Sequence, residues 1–336
     1  MSQVEALQPT RPLDRDGGRR RVGIEIEYGA LSAKQSAELI ADRLGGTVKE
    51  INPHRFEIEG TSLGTFKCEL DSRFAHPSLS TNEPDSAHFV TRLRKRAAEL
   101  FGDVASVIVP CEIVTPPIQI EEIARLDALL LELTARGATG TQDSIFYAFG
   151  VHFNPEIPTA DPLWLLNVLR SQILLSDWLR FIMQIDPTRD LTSFAHPFPA
   201  DYASHILDRD YAPTLDELID DYLEANPTRD RELDMLPLFS WLDEHRVRAK
   251  LPSEKISARP TFHYRMPNAA LGDHDWSLVR EWNRWVLIEQ FADAPDWLLD
   301  CGSTYLRHLS EERLSNWTAT MGARAIDRLQ QTGRRS

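Results

Sequence analysis

The 336-residue chain reads as an α+β protein, a curved, mostly antiparallel sheet with helices on its apolar face. Three observations predict this. Several short segments between Arg21 and Asn154 alternate apolar and polar residues, the two-residue period of a strand buried on one side. Two of them are joined by Asn52-Pro53, which reads as a hairpin turn. The longer segments between and after them carry helical spacing with capping residues at their starts.

The first strand sets the pattern. Arg21–Gly29 reads R-V-G-I-E-I-E-Y-G, with Val22, Ile24, Ile26 and Tyr28 on one face and Glu25 and Glu27 on the other. Carboxylates two residues apart leave a strand roughly 6–7 Å from one another. They repel unless a cation lies between them or both face open water. The stretch is therefore either a solvated strand face or a site for a hard divalent metal, which prefers carboxylate oxygen.

Ser32 caps a helix running to Leu44, which Gly45-Gly46 ends. Thr47–Ile51 and Arg55–Glu59 form the hairpin. Gly64–Asp71, G-T-F-K-C-E-L-D, repeats the opening design: Phe66, Cys68 and Leu70 face one way, Lys67, Glu69 and Asp71 the other. Asp85–Phe101 is helical, with a basic patch at Arg92, Arg94, Lys95 and Arg96 that reads as a solvated face. Ala105–Thr115 is a nearly continuous apolar run, hence a largely buried strand, with Pro110 marking a bulge or edge. Glu112 inside it either lies near a strand end in water or meets a cation. Pro116-Pro117 ends the strand, and Glu121–Arg136 is an amphipathic helix closed by Gly137.

Ser144–Asn154, S-I-F-Y-A-F-G-V-H-F-N, has Ile145, Tyr147, Phe149, Val151 and Phe153 on its apolar side. Ala148, Gly150, His152 and Asn154 lie opposite, and the small residues leave room for something to approach the backbone. A single histidine beside an apolar strand, such as His152, is more often a hydrogen-bonded structural residue than a ligand. Asp161-Pro162 starts a long helix and opens a mainly helical insert at about 160–255, with a capping box at Thr214–Glu217. Arg259–Arg265, R-P-T-F-H-Y-R, alternates again, placing Thr261, His263 and Arg265 opposite Phe262, Tyr264 and Met266. Trp276 to Gln331 is helical, with Trp276, Trp282, Trp285 and Phe291 as core.

Net charge is −14, from 37 basic and 51 acidic side chains, which argues against a general nucleic-acid-binding surface. Cys68, Cys111 and Cys301 lie far apart and read as reduced thiols of a cytoplasmic protein. The apolar stretch Leu163–Ile185 carries Arg170, Asp177 and Arg180, so it is no membrane span. Residues 1–20, with Pro9, Pro12 and Gly17-Gly18, read as a flexible leader.

Taken together, G-I-E-I-E, a strand with an acidic pair, E-I-V-T-P-P, G-V-H-F-N and R-P-T-F-H-Y-R, in that order, resemble the amidoligase family, over roughly Arg21 to Asn268. The resemblance implies the glutamine synthetase catalytic fold in one domain over 21–336, and ATP-dependent amide formation through an acyl phosphate. It implies ATP with Mg²⁺ or Mn²⁺ as cofactors, a small-molecule or peptide carboxylate and an amine as substrates, and a homo-oligomer or a partner amidotransferase as the assembly. The metal set carried over is Glu25, Glu27, Glu112 and His152, with Glu69 or Asp71 added. Arg265, and with it Arg259, would meet phosphate, and His152 and Asn154 would line the nucleotide side. This chain has His263 where the family tends to place a glutamate two residues before the last arginine, and Asn154 where a second histidine often follows. Imidazole at His263 would favour Mn²⁺ over Mg²⁺. Two other readings fit the same residues: a non-catalytic nucleotide-binding or scaffold protein, and a metal-dependent hydrolase.

Overall fold

A computed structural model describes residues 4–70, 110–141, 149–185, 195–310 and 317–333. Asp71, the helix expected over Asp85–Phe101, and the first halves of the strands expected from Ala105 and from Ser144 lie outside the described residues. The protein is α+β, and its strands form an antiparallel sheet that does not close.

Strands β1 (Arg21–Tyr28), β2 (Thr47–Asn52), β3 (Arg55–Thr61), β4 (Gly64–Leu70), β5 (Cys111–Val114) and β6 (Ile118–Gln119) lie in the order β2-β3-β4-β5-β1-β6, and β7 (Val151–Pro155) also pairs with β1. Pro110 sits just before β5, where its missing N–H costs the ladder nothing. Thr115-Pro116-Pro117 interrupts the strand after β5, yet Thr115 keeps the ladder intact. Its N–H donates to the Ile24 carbonyl and its Oγ1 accepts from the Ile24 N–H, both at 2.9 Å. β6 then resumes pairing against Val22 and Arg21. On the other edge of β1 the Glu27 N–H donates to the Gly150 carbonyl at 3.0 Å, which seats β7.

Helix α1 (Ala33–Leu44) starts on a capping box between Ser32 and Gln35, and ends where Gly45 takes a φ of 77°. It covers one side of the sheet, where Val22, Ile24, Ile26, Ile58, Phe66, Cys68 and Ile113 are buried with its Ala37, Leu39 and Ile40. Helix α2 (Ile123–Ala135) follows a 3₁₀ turn and packs against α1.

The remaining helices are α3 (Pro162–Ile182), α4 (Ala200–Ile206), α5 (Leu215–Ala225), α6 (Leu236–Leu242), α7 (Glu244–Lys250), α8 (Leu278–Ala292), α9 (Pro295–Ser310) and α10 (Trp317–Gly333). Asp161 caps α3 through the Trp164 N–H, and Thr214 with Glu217 forms the expected box on α5. No described helix is long and apolar enough to cross a membrane.

Chain contacts divide the protein into two compact units: Met1–Ala6, Arg21–Asn154 and Pro267–Glu281 form one, and Leu7–Arg20, Pro155–Met266 and Trp282–Ser336 the other. The sheet, α1 and α2 belong to the first. In the second, α3 packs against α9 and α10, and Phe262 and Tyr264 stack on Trp285 with ring centroids 5.1 and 5.4 Å apart. Trp282, Trp285 and Phe291 are core as expected; Trp276 is only half-buried.

Two expectations change. The stretch expected as a flexible leader is tied down from Leu7: the Trp282 indole donates to its carbonyl at 2.8 Å. The Arg20 guanidinium is buried in a bidentate pair with Glu289, at 2.7 and 2.6 Å. An unpaired arginine there would be costly, so the strap and α8 are held as one piece. Arg259–Arg265 is not a sheet strand either. It makes only isolated bridges, Thr261 with Glu156 and Tyr264 with Leu233. Its residues are buried on both sides, His263 and Arg265 as well as Phe262 and Tyr264, so its alternation does not separate a wet face from a dry one.

Candidate metal centre

Register builds the site. Across the ladder Glu69 pairs with Glu112, and Glu112 pairs with Glu27, so β4, β5 and β1 present three carboxylates in one row. The apolar residues between them on each strand are buried with α1, which forces the glutamates onto the opposite face. The next row runs Glu57, Lys67, Val114 and Glu25. Neighbouring strands lie about 4.8 Å apart, so the glutamates of a row are close neighbours.

β7 completes the group. Gly150 lies opposite Glu27 and its N–H donates to Glu27 Oε2 at 2.9 Å, which fixes that carboxylate. The other oxygen, Oε1, is 3.5 Å from His152 Nε2. His152 Nδ1 is 3.1 Å from Glu25 Oε2, and the Asn154 amide donates to Glu25 Oε1 at 3.0 Å. With its proton on Nδ1, directed at Glu25, the imidazole presents the Nε2 lone pair to Glu27, as a metal-ligating histidine does when a carboxylate orients it. Either a proton on Nε2 or a cation between the two atoms satisfies this contact.

Ligand atoms from Glu27, Glu112 and His152 all lie within 4.8 Å of one another. Ligands at about 2.1 Å from one octahedral ion stand roughly 3–4.2 Å apart, so a small closure of this group suits Mg²⁺ or Mn²⁺. Two carboxylates and an imidazole are the donor set for such an ion, with the imidazole tilting the choice toward Mn²⁺. Both oxygens of Glu25 meet His152 and Asn154, and Glu25, like His152, is among the residues whose ligand atoms could hold an ion.

Glu69 stands at the far end of the row and meets Arg55. Arg55 Nε is 3.4 Å from Glu69 and its Nη2 donates to Glu57 at 3.2 Å. Arg55 carries no signal in the sequence that singles it out; the antiparallel pairing of β3 with β4, closed at Thr61 and Gly64, sets it opposite Glu69.

His263, Arg259 and Arg265 belong to the second unit. Arg259 Nη2 lies 3.2 Å from His263 Nδ1. A guanidinium only donates, so the ring accepts there and carries its proton on Nε2. Service as a ligand at Nε2 would require a change of tautomer. Arg265 is buried; its guanidinium donates to the Arg229 carbonyl and lies 3.9 Å from Asp230. Its N–H donates to the Glu232 carbonyl at 2.9 Å, and the Asp234 N–H donates to the His263 carbonyl at 3.0 Å. Arg229–Asp234, R-D-R-E-L-D, thus clasps the arginine segment. In sequence it is indistinguishable from a solvated charge run, and only its burial reveals it.

A family model described as "Putative amidoligase enzyme" matches residues 18–287. No curated protein and no solved structure matches the chain.

Proposed function

Because the chain belongs to the amidoligase family, we propose that it is an ATP-dependent carboxylate–amine ligase with a sheet of the glutamine synthetase catalytic type. One observation carries the reading: the register that lines up Glu69, Glu112 and Glu27 and sets His152 beside Glu27. Like charges directly opposite across strands destabilise a sheet, so folding alone disfavours this row. A bound Mg²⁺ or Mn²⁺ offsets the repulsion and neutralises charge on the triphosphate and the substrate carboxylate.

In this reading Glu27, Glu112 and His152 hold the ion, Glu25 and Asn154 orient His152, and Glu69 is a further ligand once released from Arg55. Arg265 and Arg259 meet phosphate oxygens, for which a planar guanidinium is suited. The substrate carboxylate attacks the γ-phosphorus in line and ADP leaves. The amine then attacks the acyl carbon, and the amide forms as inorganic phosphate departs. The protein contributes position and charge neutralisation.

The test is ADP release in a screen of amino acids, small acids and polyamines with Mg²⁺ or Mn²⁺. ADP is expected only when a carboxylate and an amine are both present, with an amide product in equal amount. Substrate cleavage without ATP would overturn the reading in favour of a hydrolase, and metal-independent ATP binding without turnover in favour of a scaffold.

A further inference from the structure

The face that carries the carboxylates also carries a cation whose place they leave open. Lys67 lies on β4 between Phe66 and Cys68, both fully buried, so its side chain leaves on the carboxylate face. Its cross-strand partners are Glu57 on β3 and Val114 on β5. In so acidic a setting a lysine ordinarily pairs. Here the nearby carboxylates are committed elsewhere: Glu57 and Glu69 to Arg55 at 3.2 and 3.4 Å, and Glu59 to Lys49 at 3.3 Å. Among the described residues Lys67 makes no ion pair.

Position gives that ammonium a use. Lys67 is one strand across and two residues along from Glu112, a diagonal of roughly 7–8 Å between backbones. An acid whose carboxylate sits at the Glu27–Glu112–His152 group has Lys67 within reach of its other end. Val114, between Lys67 and Glu25 in the same row, offers an apolar floor for the methylenes between. We propose that Lys67 binds a second anionic group of the acid substrate, so that the site selects short dicarboxylic acids over monocarboxylic ones. This rests on the ligase reading for the identity of the acid as substrate. The binding preference itself can be measured without turnover.

The experiment titrates glutarate and valerate, acids of equal chain length, into the full chain with saturating Mn²⁺. Glutarate is expected to bind about tenfold more tightly or better, the worth of one charge-assisted contact. Lys67→Met should abolish that preference while leaving valerate and Mn²⁺ affinity within about twofold, and Lys67→Arg should keep most of it. Retained Mn²⁺ binding also shows that the variant is folded. Equal affinities for the two acids in the wild type, or an unchanged preference in Lys67→Met, overturn the proposal. A preference that depends on Lys67, in a protein that releases no ADP with any amine, upholds the subsite and removes the ligase reading. ADP release that ignores Lys67 does the reverse.

Discussion

Glu112 shows how one residue changes meaning with its neighbours. Alone in an apolar run it is a buried charge with two readings; in register it stands between Glu27 and Glu69. Removing its charge relaxes two repulsive cross-strand pairs. Glu112→Gln should therefore raise stability without metal by up to about 1 kcal/mol, or leave it unchanged. It should also lower Mn²⁺ affinity by about tenfold or more, because an amide oxygen is a weaker ligand than a carboxylate. Thermal melts without metal and a Mn²⁺ titration check both halves. Lower stability with unchanged Mn²⁺ affinity would make Glu112 an ordinary strand residue.

At the scale of the element, helix α8 illustrates capping by a distant chain segment. Ser277 Oγ accepts the Arg280 N–H at 3.1 Å, as a residue before a helix does. Its other two free N–H groups, of Leu278 and Val279, donate to the Asp127 carboxylate on α2 at 2.6 and 3.2 Å. Burial pushes the Asp127 pKa up and these two bonds pull it down; burial is the larger effect. Asp127→Ala should cost about 1–2 kcal/mol, since it strands two donors at a buried helix start, and Asp127→Asn should cost less. Urea unfolding of the two variants gives the comparison; equal midpoints for Asp127→Ala and the wild type would show that the contact is idle.

For the whole molecule Glu232 is a pH lever away from the carboxylate row. It is fully buried, accepts from Gln172 at 2.8 Å and Ser176 at 3.0 Å, and lies 3.7 Å from Arg180. Burial outweighs those partners and pushes its pKa from 4.5 up to about 7. Below the unfolded value the folded and unfolded chains both hold this proton. Between 4.5 and about 7 only the folded chain keeps it, so stability falls as pH rises through that window, and the loss is complete above it. The shift corresponds to on the order of 3 kcal/mol at 1.36 kcal/mol per pH unit. Glu232→Gln, uncharged throughout, should match the wild type near pH 4.5 and exceed it at about pH 8. Denaturant unfolding at the two pH values reads the difference directly. A constant gap between the proteins would mean that this carboxyl does not titrate in the window.

What the sequence determined by itself was local. Period-two alternation marked β1 and β4 and put Glu25, Glu27, Glu69 and Lys67 on one side of their strands, because a side chain's face follows from its place along the strand. Caps at Ser32, Asp161 and Thr214 placed the starts of three helices, since the bonds involved span only three residues. The order of motifs carried the family. Only the tertiary structure decided which strands are neighbours, and so that Glu112 stands between two glutamates, that His152 touches Glu25 and Glu27, and that Arg55 occupies Glu69. It also decided that residues 7–20 are strapped down by Arg20 and Glu289, and that the segment around His263 joins no strand. Pairings between separate strands and helices leave no period in the text, because the cost and gain of burying a charge depend on a partner that the neighbouring sequence does not contain.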